Sequence, residues 1–92
     1  MGKAPNEVQN LTVLRTQTDR REVKLNWNQV KDAVGYNIRY GSYPDKLYHT
    51  YQVLGVNSLT IRSLNSNQKY WFTIDAFNEN GIKKGATIIK AD

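Results

Sequence analysis

From Tyr70 the chain reads YWFTIDA, with Tyr70, Phe72, Ile74 and Ala76 at strict period two and Trp71, Thr73 and Asp75 between them. An apolar face alternating with a more polar one at that period is the pattern of a half-buried strand. The same parity recurs in EVKLNWN, where Val23, Leu25 and Trp27 alternate with Lys24, Asn26 and Asn28, and in GYNIRYG, where Tyr36, Ile38 and Tyr40 alternate with Asn37 and Arg39. Val8, Leu11 and Val13 supply apolar positions for an earlier strand opened by Ala4-Pro5, a proline being tolerated at a strand start. Leu47 to Leu54 is rich in β-branched and aromatic residues but mixed on both faces, which predicts an edge strand. Leu59 and Ile61 share one face of a short strand, and Gly85 to Lys90 (GATIIK) reads as the last one.

Turn chemistry separates these segments. Thr16 to Arg21 is a polar hairpin loop, Asn28 to Val34 a longer loop, and SYPDK a turn in which Pro44 presets φ and Asp45 bonds local backbone. Gly55 to Asn57 turns the chain again. Asn80-Gly81 suits a turn that requires positive φ, so the final two strands are expected to form a hairpin. A tyrosine opening a strand, with Leu64 upstream across a polar loop, is the arrangement of a tyrosine corner: the ring packs in the core while its hydroxyl bonds backbone upstream. Seven short strands, frequent turns and no helical periodicity predict an all-β, seven-stranded antiparallel Greek-key sandwich. Its expected core includes Trp27, Tyr36, Ile38, Tyr40, Leu64, Tyr70, Phe72 and Ile74. Removing the indole, as in Trp27→Ala, is expected to cost about 3–5 kcal/mol.

Composition narrows the picture. Ninety-two residues suffice for one domain with a two-sheet core but not for a catalytic domain with a large pocket. Residues 1–3 read as an appended start and residues 4–92 as a single domain excised from a longer protein. No apolar run approaches the length of a membrane span, so no membrane insertion is expected, and no secretory leader is recognisable. With no cysteine, disulfides, thiolate metal sites and a cysteine nucleophile are excluded. The net charge of +5 raises the question of nucleic acid, but Arg15, Arg20, Arg21, Lys24, Arg39, Arg62 and Lys90 fall in different elements. Such scatter reads as solvated charge rather than as a basic stripe, so no nucleic-acid partner is expected. The isolated domain is expected to be a monomer.

Chemistry of its own is hard to find in the chain. The single histidine, His49, lies in the expected edge strand and reads as a half-exposed strand residue rather than a base. There is no phosphate-binding loop, HExxH pair, calcium-loop spacing or nucleophile elbow, so no catalytic residue, metal or cofactor is expected. Asp75 and Glu79 are close in sequence, but one points outward from a strand and the other sits in a turn. They read as two solvated acids rather than as the facing carboxylates of a glycosidase. Asn10-Leu11-Thr12 matches an N-glycosylation sequon, although Leu11 is better explained as core. What remains is the outer face opposite Tyr70 and Phe72. Trp71, Thr73 and Asp75, joined by Asn37 and Arg39 from the neighbouring strand and by Tyr43, form a candidate binding surface on which a sugar ring or a partner domain would stack. The plainer alternative covers Trp71 with the stem of Arg39 or with Lys69. The facing of Tyr48 and Tyr51 stays undetermined.

These positions resemble a known family along nearly the whole chain. Pro5, Leu11, Trp27, Tyr36-x-Ile38-x-Tyr40, Leu59, Ile61, Leu64, Tyr70 and Ile74-x-Ala76-x-Asn78-x-x-Gly81 are similar, in order and spacing, to the fibronectin type III domain. Ser66 and Gln68 depart from the proline and threonine common in its corner loop, and the Arg-Gly-Asp tripeptide is absent, so integrin binding is not implied. Tyr40 to Val53 and Ser58 to Ile82 further resemble the fibronectin-type accessory modules at the C-terminal ends of secreted bacterial glycoside hydrolases of the xylosidase and arabinosidase type. That resemblance implies an extracellular, periplasmic or cell-surface location and a non-catalytic spacer or docking role beside neighbouring domains of the same chain. The alternatives are a carbohydrate-binding module that holds polysaccharide on Trp71, and a protein-recognition module of the adhesion or receptor type.

Overall fold

In the computed structural model, which describes residues 2–91, two antiparallel sheets pack face to face. Met1 and Asp92 lie outside the described residues. Eight strands run in the order β1 (Thr12–Arg15), β2 (Val23–Asn26), β3 (Gly35–Gly41), β4 (His49–Leu54), β5 (Ser58–Ile61), β6 (Tyr70–Asn78), β7 (Gly81–Lys83) and β8 (Ile89–Ala91). The smaller sheet has the order β1-β2-β5; the larger runs β4-β3-β6-β7, with β8 pairing the beginning of β6. Strand β5 crosses to the other sheet after β4, so the connectivity is that of a Greek-key sandwich.

The expected seven strands become eight because a short strand forms ahead of the expected last one. Strand β7, at residues 81–83, extends the hairpin from β6, with Asn78 opposite Gly81 and Gly81 at φ +150°. Strand β8 begins only at Ile89, near the end of the expected Gly85–Lys90 strand, and places Ile89 opposite Phe72 and Ala91 opposite Tyr70. GATIIK is therefore not one continuous strand: residues 84–88 leave the ladder, for a reason that lies on the outer face.

The inner faces meet where the period-two pattern requires. Val23, Leu25 and Ile61 of the smaller sheet face Tyr36, Ile38, Tyr40, Phe72, Ile74 and Ala76 of the larger, and all are buried. Trp27 lies one residue beyond β2 but stays in register with the core: its amide donates to the carbonyl of Asn57 at 3.1 Å, and its ring meets Tyr36 edge-on at 5.4 Å. The Tyr36 hydroxyl accepts from the amide of Val30 at 2.8 Å, which pins the β2–β3 loop to the core. At the other end Tyr40 stacks on Phe72 at 5.3 Å.

The tyrosine corner forms as its sequence predicts, with Leu64 buried and the Tyr70 hydroxyl accepting from the amide of Asn65 at 2.9 Å. A second anchor corrects the reading of the basic residues as solvated. Arg15 is 1 % exposed; it occupies the inward parity of β1 after Leu11 and Val13. Its guanidinium donates to the carbonyl of Arg20 at 2.7 Å, to that of Asn65 at 2.7 Å and to that of Gln68. It also lies 5.2 Å from the centre of the Tyr70 ring. Carbonyls of the corner loop that would otherwise lose water on burial are thus met by a charged donor, a stronger bond than a neutral one.

Candidate functional site

The outer face of the larger sheet is laid out by register. Residues directly opposite in an antiparallel pair project to the same face, so the pairs Asn37–Asp75, Arg39–Thr73 and Gly41–Trp71 bring five of the six candidate residues onto neighbouring rows. Tyr43 does not join them. It sits beyond β3 in the turn toward β4, where it forms a bridge with Lys46 whose ammonium lies 5.7 Å from its ring centre.

The face is far less open than alternation alone suggests. Thr73 is 1 % and Asp75 3 % exposed, because residues 84–88 cross over them as a strap. The Thr73 hydroxyl donates to the carbonyl of Thr87 at 2.7 Å, and the amide of Gly85 donates to Asp75 Oδ1 at 2.9 Å. Glu7 holds the far side by accepting from the amide of Ala86 at 3.2 Å. The Thr73 hydroxyl, as donor, and the Asp75 carboxylate, as acceptor, thus make bonds that a ladder would otherwise supply, and residues 84–88 leave the ladder there. Only glycine fits position 85 without a shift of the strap: a Cβ there would lie 2.2 Å from the carbonyl oxygen of Ile74.

Asp75 is therefore not a solvated acid. Arg39 grips it through a bidentate pair, Nε to Oδ2 at 2.8 Å and Nη2 to Oδ1 at 2.9 Å, while the Gly85 amide adds a third donor. Planar guanidinium against planar carboxylate is the geometry that suits arginine and not lysine. A carboxylate so occupied offers no free lone pair on an accessible edge for acid–base work. Glu79 stays exposed in the β6–β7 turn, so the two acids do not face one another across a cleft. Trp71 is half-buried, and its cover differs from both expected ones: Lys90, its partner in β8, places its ammonium 5.7 Å from the ring centre.

Two open features flank the strap. Between it and the β3–β4 turn lies a recess of about 280 Å³ lined by Arg39, Pro44, Asp45, Tyr48, Thr73 and Ile88, among others. Tyr48 is 81 % exposed at its rim. On the other side, an apolar row crosses the sheet: Leu54 lies opposite Gly35, Gly35 opposite Phe77, and Phe77 opposite Ile82. The side chains of Leu54 and Phe77 close over Gly35, where any Cβ would meet both at 2.6 Å. Leu54 and Ile82 remain largely exposed. This row was missed in the sequence because its members lie on four different strands, in segments where no alternation singles them out. Gly35 ahead of Tyr36 was the available signal.

His49 and Tyr51 of β4 turn toward the inner side, stacking on Tyr40 at 5.0 and 6.1 Å. Among the described residues no group of three or more histidines and carboxylates could hold a metal, and no helix is long and apolar enough to cross a membrane.

Comparison with known proteins agrees with this architecture. A family profile, the fibronectin type III domain, matches residues 6–91. Among solved structures, an Fn3-like protein from Clostridium thermocellum superposes with a TM-score of 0.84 at 16 % identity, covering 98 % of this chain and 94 % of its own. The FN1–FN3 domains of chicken CNTN1 give 0.79 at 28 % identity over 95 % of this chain, which spans 32 % of that one. A domain of human collagen XX gives 0.75 at 16 % identity, covering 98 % and 94 %. No curated protein matches the chain by sequence.

Proposed function

Because the chain belongs to the fibronectin type III family, we propose that it serves as a non-catalytic spacer or docking module of a larger secreted bacterial protein, a polysaccharide-degrading glycoside hydrolase. It works outside the cytoplasm, beside neighbouring domains of the same chain. The observation that carries the docking role is the apolar row Leu54–Gly35–Phe77–Ile82 across the outer face. A contiguous exposed apolar patch is the ordinary mark of a protein contact. Asp75 is committed to Arg39 and Gly85, which favours a structural role for it over a catalytic one.

In the intact parent protein, Ile82→Lys is expected to loosen the domain from its neighbour, read as faster proteolysis between domains. The isolated domain should keep its unfolding midpoint. An unchanged cleavage rate would count against docking through this row.

A second reading is carbohydrate binding, supported by the recess beside exposed Tyr48 and half-exposed Arg39. Aromatic rings beside polar groups suit a sugar face. Lys90 over Trp71 weakens the version of that idea that relies on an open indole platform.

A further inference from the structure

In place of the monomer expected from the sequence, we propose that strand β4 pairs edge to edge with β4 of a second copy of this chain, making a symmetric dimer with one continuous sheet. Leu47 to Ile61 contains no aspartate, glutamate, lysine or arginine, although charged residues make up 23 % of the chain. In the fold this stretch is one entire flank of the sandwich: β4 is the outermost strand of the larger sheet and β5 of the smaller. The opposite flank carries Lys83, Lys84 and Lys90, and there β1 lies against β8. Between Lys46 and Arg62, which bound the stretch, no charge lies along this edge, so two copies can pair through β4 without opposing like charges.

Edges of natural sheets are ordinarily blunted by lysine, proline, a bulge or a covering loop. Strand β4 pairs with β3 without a bulge over its whole length and includes neither lysine nor proline. Tyr48, Tyr51, Leu54 and Val56 are exposed along it. The bond from the Gly55 amide to the Val34 carbonyl sets the phase of the ladder, because amides in a strand alternate in direction. His49, Tyr51 and Val53 therefore spend their amides on β3, while Thr50, Gln52 and Leu54 direct theirs outward.

Only an antiparallel register that joins outward residues to outward residues satisfies a copy of the same strand. Centred on Gln52, it sets Gln52 against Gln52 of the partner subunit, Thr50 against Leu54 of the partner subunit, and Tyr51 against Val53 of the partner subunit. The last pairing is aromatic against β-branched, a favourable cross-strand contact. The strand is complementary to itself, and the interface is isologous as a two-fold dimer requires.

Sedimentation equilibrium of the whole chain across micromolar to millimolar concentration tests this. The mass should rise from the 10.6 kDa of one chain toward twice that. Gln52→Pro removes an outward N–H and leaves every bond to β3 in place, so it should hold the mass at 10.6 kDa with the unfolding midpoint kept. Gln52→Lys and Gln52→Glu should each weaken association by about tenfold or more, and a mixture of the two should recover it. A mass that never rises overturns the proposal, and so does a dimer that Gln52→Pro leaves intact. Should the chain stay single yet gain amide protection at Thr50 and Gln52 only when an extended uncharged peptide is added, self-pairing is wrong and the edge serves a foreign strand.

Discussion

Arg15 and Tyr70 show what single residues contribute to this fold. The ring of Tyr70 fills the end of the core while its hydroxyl meets the Asn65 amide; the guanidinium of Arg15 meets carbonyls on both sides of the same loop. Tyr70→Phe should cost about 1–2 kcal/mol, since a partly buried donor loses its acceptor. Arg15→Lys should cost more, about 2–4 kcal/mol, because an ammonium cannot reach three carbonyls held in a fork. Urea unfolding of both variants checks the order; equal losses would mean that the guanidinium geometry is irrelevant. Tyr40 gives a pH dependence. Burial, then the neighbouring Tyr51, pushes its phenol above the usual value of 10.0. The unfolded chain therefore ionises first, so stability is full below about pH 10 and falls as pH rises through the native value. Thermal unfolding at rising alkaline pH should reveal this loss, and Tyr40→Phe should flatten it.

Among the elements, the strap at 84–88 matters most to the outer face. Gly85→Ala forces a Cβ against the Ile74 carbonyl. The strap should lift, exposing Asp75, and stability should fall by about 1–3 kcal/mol, as for overpacking elsewhere. Faster hydrogen exchange at Ala86 and Thr87, with β2 and β3 unaffected, is the expected signature. Period two made β2, β3 and β6 legible from the sequence, since each buries one face and exposes or covers the other. It could not make the strap legible, because Thr73 and Asp75 alternate outward just as solvated residues do; what buries them is a segment ten or more positions later. Arg15 stayed hidden for a related reason: a charge at an inward position breaks the pattern that reveals inward positions. Likewise Lys90 covers Trp71 only because β8 returns to the start of β6, a pairing that the reading of GATIIK as one unbroken strand did not contain.

At the scale of the whole molecule, β6 divides the domain's roles. Its inward residues Tyr70, Phe72, Ile74 and Ala76 build the core, and its outward residues hold the strap, the Arg39–Asp75 pair and the Lys90–Trp71 contact. The exposed features therefore lie to either side of β6's centre: the apolar row at one end, the small recess beside Tyr48, and the uncharged flank along β4 and β5. The proposed docking and self-pairing would both use these features, on the domain's face and its edge, to meet other protein surfaces. Calorimetric titration of the domain with xylan, arabinan and host-type glycans tests that account most directly. The account predicts no saturable heat and no change in tryptophan fluorescence; saturable heat abolished by Trp71→Ala or Tyr48→Ala would contradict it and make this a carbohydrate-binding module.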